Sequence, residues 1–310
     1  MIKSAQSLKD KLRNISREKD VDFNSVMRFY MYDCFIKRLS LSIYRDNFIL
    51  KGGFYLSTLF GINTRSTMDI DTTIMNTSLS KENIIKIINE IIKTDVHDHV
   101  KFQINKIEQI RDENEYGGLR VTIKFKFETI QDSFHIDIAT GDPIYPKPHD
   151  YNYRSIVGEE IYPVKSYTLE TILSEKIETI LRRLEANGRM KDFYDIYYLS
   201  RTFDFDGLKL QTALQETLQN RGTAYGAKSF DRILSLAEEE DMQVKWRYFL
   251  RTLGDPALPF QDIIGGIQRF LAPVWDEFLK QHEFLATWKA AQASWSIWSP
   301  EENTRKTETD

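Results

Sequence analysis

Two aspartates stand two residues apart in Met68-Asp-Ile-Asp-Thr-Thr-Ile74, a segment whose polar and apolar residues alternate with period two. On a strand, Asp69 and Asp71 project from one face while Met68, Ile70 and Thr72 point to the other. Strand rise sets their Cβ atoms about 7 Å apart. That spacing suits two hard cations about 4 Å apart, shared between carboxylates and the phosphates of a nucleotide. A third carboxylate, Asp137, lies in Phe134-His-Ile-Asp-Ile-Ala139 opposite a face made by Phe134, Ile136 and Ile138. If the two strands are neighbours, three acids converge. An Asp-x-Asp pair on a solvated strand is often only surface charge, so its weight depends on what accompanies it.

Several residues accompany it. Gly52-Gly53 stands between an apolar strand and a helix-length segment, where backbone N–H groups and a positive helix end can approach a phosphate. An ordinary tight turn explains the same pair. Lys51 and Arg65-Ser66 add cationic and hydroxyl donors on the approach to the acids. Lys176 falls within the stripe Leu169, Ile172, Leu173, Ile177, Ile180, a slot that helical periodicity assigns to the core. It either snorkels to water or points into a site rich in phosphate. Arg189-Met-Lys191-Asp192-Phe-Tyr-Asp195 opens the next helix. Asp192 and Asp195 share a face there, and an acid in the first turn is favoured by the helix dipole with or without a function.

These residues need elements to hold them. The first ~45 residues read as two helices by apolar period, the second with Asn24-Ser25 as its cap and Met27, Tyr30, Met31, Cys34, Phe35, Arg38 and Leu39 along it. From Phe48 the pattern changes to short strands separated by helices. Phe48–Lys51 is a strand, Phe54–Phe60 a helix ending at Gly61, and Ser80 caps a helix rich in isoleucine. Strands follow near 100–110, 119–128 and 134–140, with Asn114 to Gly118 as a turn. Beyond Pro163 the chain reads as helical to about residue 285, with helices over 168–184 and 191–200 and others near 207–219, 228–238, 241–252 and 260–281. The fold class is α+β: a helical hairpin over 1–47, a mixed-sheet core over 48–165, a helical domain over 166–298 and a disordered polar tail over 299–310.

Composition removes some classes of function. A formal net charge of −4 over 310 residues argues against a protein held on nucleic acid by an overall positive field. The single cysteine, Cys34, allows no intramolecular disulfide and no cysteine-rich zinc site. With no secretory apolar run and no membrane-length stretch, the expected location is the cytoplasm, without a membrane partner. There is no Gly-Lys-Ser/Thr after the glycine pair and no Gly-x-Gly-x-x-Gly anywhere. His97-Asp98-His99 lacks further ligands nearby and reads as a solvated loop. The aromatics Tyr194, Tyr197, Tyr198, Trp246, Tyr248, Trp275, Trp288, Trp295 and Trp298 suit packing in the helical domain better than base stacking.

In order and spacing, Lys51-Gly52-Gly53, Arg65-Ser66-Thr67-Met68-Asp69-Ile70-Asp71, Asp137, Glu175-Lys176 and Arg189–Asp195 resemble the AbiEii/AbiGii nucleotidyltransferase toxins over roughly residues 48 to 200. The resemblance implies a DNA polymerase β-like core, NTP as substrate and Mg²⁺ or Mn²⁺ as cofactor. It further implies a cognate antitoxin that is also a transcriptional repressor, growth arrest in abortive phage infection, and transfer RNA as the acceptor. Lys51, Gly52, Gly53, Arg65 and Ser66 then fall in the nucleotide-binding motif and Asp69, Asp71 and Asp137 become metal ligands. Lys176 and Asp192 match the later catalytic motifs, with Arg189, Lys191 and Asp195 in support. One departure is that the wider superfamily usually carries Gly-Ser where this chain has Gly52-Gly53. The hydroxyl contact is missing at position 53, and whether Ser66 replaces it stays open. Two rival readings remain: the same core acting on a protein or small-molecule hydroxyl, and a non-catalytic nucleotide or RNA binder. The preferred NTP, the number of nucleotides added, direct antitoxin contact and oligomeric state are not written in these motifs.

Overall fold

The computed structural model describes residues 4–62, 67–110, 117–186, 188–253 and 258–299. The chain divides into two units, one made of residues 1–142 with 148–167 and the other of 143–147 with 168–310.

The first unit is organised around a helix that is apolar on nearly every side, a composition that only burial satisfies. After α1 (Ala5–Lys19), helix α2 (Phe23–Leu41) buries Val26, Phe29, Tyr32, Phe35, Ile36 and Leu39 among others. Its cap is Asp22, whose carboxylate accepts from Ser25 N at 3.0 Å, two residues before the expected Asn24-Ser25. The two buried charges on α2 are both paired, with Arg38 Nε left without a hydrogen-bond partner. Asp33 accepts hydrogen bonds from the Tyr153 hydroxyl, from Ser155 Oγ at 2.8 Å and from the backbone N–H groups of Ile156 and Val157. Arg38 forks onto Asp98 at 2.8 and 2.7 Å and donates to the carbonyls of Cys34 and Val100. The His97-Asp98-His99 segment is therefore tied to the core through its aspartate, while His97 pairs with Asp95 at the surface.

Next come β1 (Phe48–Leu50), α3 (Gly52–Phe60), β2 (Asp69–Ile74), α4 (Lys81–Ile92), β3 (Lys101–Ile110), β4 (Gly118–Phe127), β5 (Ile130–Ala139), β6 (His149–Arg154) and β7 (Ile161–Ser166). The strands form one mixed sheet in the order β3-β4-β5-β2-β1-β7-β6. β2 runs parallel to β5 and β1 parallel to β7, and the remaining neighbours are antiparallel. Ser80 caps α4 and Ile84, Ile87, Ile88 and Ile91 are buried, as the isoleucine spacing predicts. The β6–β7 hairpin was not apparent from periodicity, because Tyr151, Tyr153 and Tyr162 sit among charged residues that dilute the apolar pattern.

The second unit holds α5 (Leu169–Arg183), α6 (Met190–Thr202), β8 (Phe205–Asp206), α7 (Gly207–Asn220), α8 (Ser229–Ser235), α9 (Glu240–Leu253), α10 (Phe260–Leu279), β9 (Ala286–Lys289) and β10 (Ser294–Ile297). The last helix ends at Leu279, and β8, β9 and β10 make a small sheet that the helical reading of this region did not anticipate. Trp288 and Trp295 pack with Phe270 and Phe284, and their indole N–H groups donate to the carbonyls of Ser200 and Phe270. These rings are packing residues, whereas Tyr248 is 71% exposed. Among the described residues no helix is long and apolar enough to cross a membrane. The expected tail over 299–310 lies outside the described residues apart from Ser299.

Candidate active site

Parallel pairing of β2 with β5 sets Asp69 beside His135, Ile70 beside Ile136 and Asp71 beside Asp137. Ile70, Thr72, Ile136 and Ile138 fill the buried face, so the three acids occupy the opposite face of two adjacent strands about 4.8 Å apart. Met68 lies just outside β2 and is exposed, with Arg28 Nη1 2.7 Å from its sulfur, rather than joining the buried face.

A fourth side chain joins them that sequence reasoning passed over. In the antiparallel β4–β5 ladder Arg120 lies opposite Asp137. Its Nε donates to Asp137 Oδ1 and its Nη2 to Asp137 Oδ2, both at 2.7 Å, and Nη2 also reaches Asp69 Oδ2 at 3.1 Å. This is a bidentate, charge-assisted pair. Burial pushes the Asp69 carboxyl above its ordinary range and Asp137 pushes it the same way, with the Arg120 charge opposing. Asp137 and Asp69 in turn hold the Arg120 guanidinium firmly charged.

Asp71 is engaged differently. Its Oδ2 accepts from Gly53 N at 2.9 Å and Phe54 N at 3.4 Å, so it caps the amino end of α3. Its carbonyl accepts from Lys51 N at 3.0 Å. The glycine pair is thus more than a loose turn. Gly52 has φ +57°, and a Cβ there would stand 2.7 Å from Asp71 Oδ2. The N–H groups expected to face a phosphate are occupied in this structure by Asp71. Lys51 Nζ lies 3.5 Å from Asp142 Oδ2, 3.5 Å from the Tyr167 hydroxyl and over the Tyr167 ring. Arg65 and Ser66, the other expected nucleotide contacts, fall outside the described residues.

Among the described residues no three carboxylate, imidazole or thiolate donors already converge as a cage. The donor chemistry nevertheless fits a divalent ion: three hard oxygen ligands share one sheet face, and two of them already share one cationic nitrogen, Arg120 Nη2. Asp69, Asp71 and Asp137 are the residues that would hold it.

In the second unit Lys176 does not snorkel. Its Nζ lies 2.8 Å from Asp192 Oδ1 and 2.6 Å from Asp195 Oδ2, and all three side chains are buried. Arg189 Nε stands 3.0 Å from Asp192 Oδ2, without the alignment of a hydrogen bond. The second helix turn of α5 and the first two of α6 are therefore joined by an ammonium between two carboxylates. Lys191, also expected in support, is on the exposed side of α6.

By its family the chain is a nucleotidyltransferase. The structure is similar to that of the nucleotidyltransferase toxin MenT4 from Mycobacterium tuberculosis, with a TM-score of 0.53 at 12% identity over 88% of this chain and 99% of that one. It also resembles JHP933 from Helicobacter pylori, with a TM-score of 0.45 at 12% identity over 83% and 94% of the two chains. No curated protein matches the chain significantly. Residues 34–281 match the family described as "Nucleotidyl transferase AbiEii toxin, Type IV TA system", and the chain belongs to that family. Membership makes it a nucleotidyltransferase toxin of a toxin–antitoxin pair, with an NTP substrate and an antitoxin partner.

Proposed function

We propose that this toxin transfers a nucleoside monophosphate from an NTP to an RNA hydroxyl in a reaction that requires Mg²⁺ or Mn²⁺, with transfer RNA as the acceptor and growth arrest during phage infection as the result. The observation that carries the reading is the shared face of Asp69, Asp71 and Asp137, fixed by the β2–β5 register. The acceptor oxygen forms a bond to the α-phosphorus as the bond from that phosphorus to the bridging oxygen breaks, and pyrophosphate leaves. The hydroxyl proton passes to a carboxylate, the role this reading gives to Asp137. Divalent ions on these acids would supply charge neutralisation for the triphosphate and lower the pKa of the attacking hydroxyl. Lys51 immediately precedes the glycine turn and suits a phosphate contact. Lys176 and Asp192 enter as catalytic groups through the family motif; the geometry within their own unit supports a positioning role for Asp195 and Arg189. The site belongs in the cytoplasm, where NTP, transfer RNA and a repressor antitoxin meet.

The test is to incubate the full chain with each labelled NTP, MgCl₂ and total RNA, with or without protein extract, and to sequence the RNA 3′ ends. Label entering RNA and extended transfer RNA ends are expected. Asp69→Asn and Asp71→Asn should each lower transfer by at least about a thousandfold and abolish growth arrest on expression. Label entering protein or small molecules instead would move the acceptor to a different hydroxyl. Growth arrest that survives both substitutions would overturn the catalytic reading altogether.

A further inference from the structure

Arg120 is the side chain that the motif-based reading leaves without a task. It comes from β4, a strand that supplies none of the acids, and yet it is the group that touches two of them. Its fork uses both oxygens of Asp137 and then shares Nη2 with Asp69. The β4–β5 ladder continues in register for seven residues on one side of this pair, to Phe127 opposite Ile130, and by one on the other, to Leu119 opposite Ile138. The Cα of Arg120 is therefore fixed, while its side chain is 39% exposed. Only the side chain needs to move to release the carboxylates, and it moves toward water, where a guanidinium is stable.

Charge makes that release consequential. Three carboxylates on one face repel one another, and one guanidinium offsets part of that repulsion. A divalent ion binding to the same oxygens would meet the guanidinium as a like charge and as a competitor for the same lone pairs. Asp71 adds to the negative charge that Arg120 meets, while its Oδ2 serves the N–H groups of Gly53 and Phe54. His135 is beside Asp69 in the register but holds Thr122 Oγ1 through Nδ1. Arg28, whose charge also reaches Asp69, has its guanidinium on Met68.

We propose that Arg120 is a resident cation of the acid cluster, aligning Asp69 and Asp137 before divalent metal arrives and competing with the metal for them, so that it sets the metal concentration at which the site fills. Arg120 is a positioning residue in this scheme and has no contact with the reacting atoms. The inference rests on the metal-dependent reading given above.

Direct Mn²⁺ titration of the full chain without NTP, following the loss of the free-ion resonance by electron paramagnetic resonance, tests it. Arg120→Met removes the charge and keeps most of the volume, and Arg120→Lys keeps the charge but loses the fork. The Met variant should bind Mn²⁺ about tenfold more tightly than the wild type, because a positive charge within hydrogen-bond reach of two ligands is gone. The Lys variant should stay within about threefold of the wild type. At saturating Mn²⁺ with labelled NTP and RNA, kcat should fall in the Met variant and recover in part in the Lys variant, while KM for NTP stays level. A merely structural arginine would weaken metal binding when removed, so unchanged or weaker affinity in the Met variant overturns the inference. Should circular dichroism show the Met variant unfolded, Arg120→Gln carries the same expectation and the same refutation. If the wild type binds no Mn²⁺ even with NTP present, the metal-dependent reading falls and this inference falls with it. If the wild type binds and the substitutions leave Kd unmoved, only the role of Arg120 is lost.

Discussion

Replacing Lys176 with methionine keeps the length and apolar stem of the side chain and removes only its ammonium. In the structure that ammonium is 2.8 Å from Asp192 and 2.6 Å from Asp195, with the two carboxylates 2% and 1% exposed. Breaking a buried pair by deleting one partner costs about 3–5 kcal/mol, because the charge left behind has lost its compensation. Arg189 still lies near Asp192 from a solvated position and recovers a small part of this. A net loss of about 4 kcal/mol corresponds to a fall in Tm of about 6 °C in a protein of this size. Differential scanning calorimetry or thermal circular dichroism measures it. The triple variant Lys176→Met, Asp192→Asn, Asp195→Asn removes the stranded charges as well and should recover most of the lost Tm. Its transfer activity then separates two roles for Lys176. Activity restored with stability assigns the lysine to holding α5 against α6, and activity still absent while stability is restored assigns the Lys176–Asp192 pair to the reaction. A single Lys176→Met variant melting within about 1 °C of the wild type would refute the buried-triad argument itself.

Two further substitutions probe the first unit. Gly52→Ala should cost about 1–2 kcal/mol for a left-handed alanine, measured by urea unfolding. It should also slow transfer by more than about tenfold, since the new Cβ would displace Asp71 Oδ2. Burial raises the Asp33 carboxyl from an ordinary 3.8 to about 6 against four hydrogen bonds that pull it down. Between those values the folded chain holds a proton the unfolded chain has released, so this group's contribution to stability is present below pH 3.8 and lost as pH rises to about 6. The loss is about 3 kcal/mol. Asp33→Asn should flatten that part of the stability–pH curve, as read by urea midpoints at successive pH values, and an unchanged slope would contradict the assignment.

How the site could be read from the sequence depended on whether the relevant constraint was local. Period-two alternation in Met68–Ile74 and Phe134–Ala139 was enough to put three acids on polar faces, because side-chain direction on a strand is set within the strand. Their adjacency required the parallel pairing of strands far apart in sequence, and that pairing is a product of the whole sheet. Arg120 falls between these cases. Phe127 and Ile130 close a two-residue hairpin, so counting seven residues back and seven forward places Arg120 opposite Asp137. That arithmetic needs β5 to begin at Ile130, but Gln131-Asp132-Ser133 is polar and exposed, and an apolar pattern starts only at Phe134. Lys176 gave the right signal, a charge in an apolar stripe, and burial between Asp192 and Asp195 removes the snorkelling outcome. Its partners sit one helix later, at a separation set by the α5–α6 connection and not by periodicity.

The glycine turn and the acid pair, which look like separate motifs in the sequence, are one mechanical unit in the fold. The Asp71 carbonyl receives the Lys51 N–H, and the Asp71 carboxylate receives Gly53 and Phe54, so one residue fixes both the entry to α3 and the direction of its own side chain. A bulkier residue at position 52 would break this arrangement from the turn side, and a neutral residue at position 71 would break it from the strand side. The consequence for function is that the charge of Asp71 is stabilised by a helix amino end before any substrate binds, whereas Asp69 depends on Arg120. Under the proposed metal dependence, a cation arriving at the sheet face would meet one acid held by backbone and two held by a side chain that can leave. The side-chain arm is the adjustable one, and the energetic coupling between metal and protein should be found at Asp69 and Asp137 rather than at Asp71.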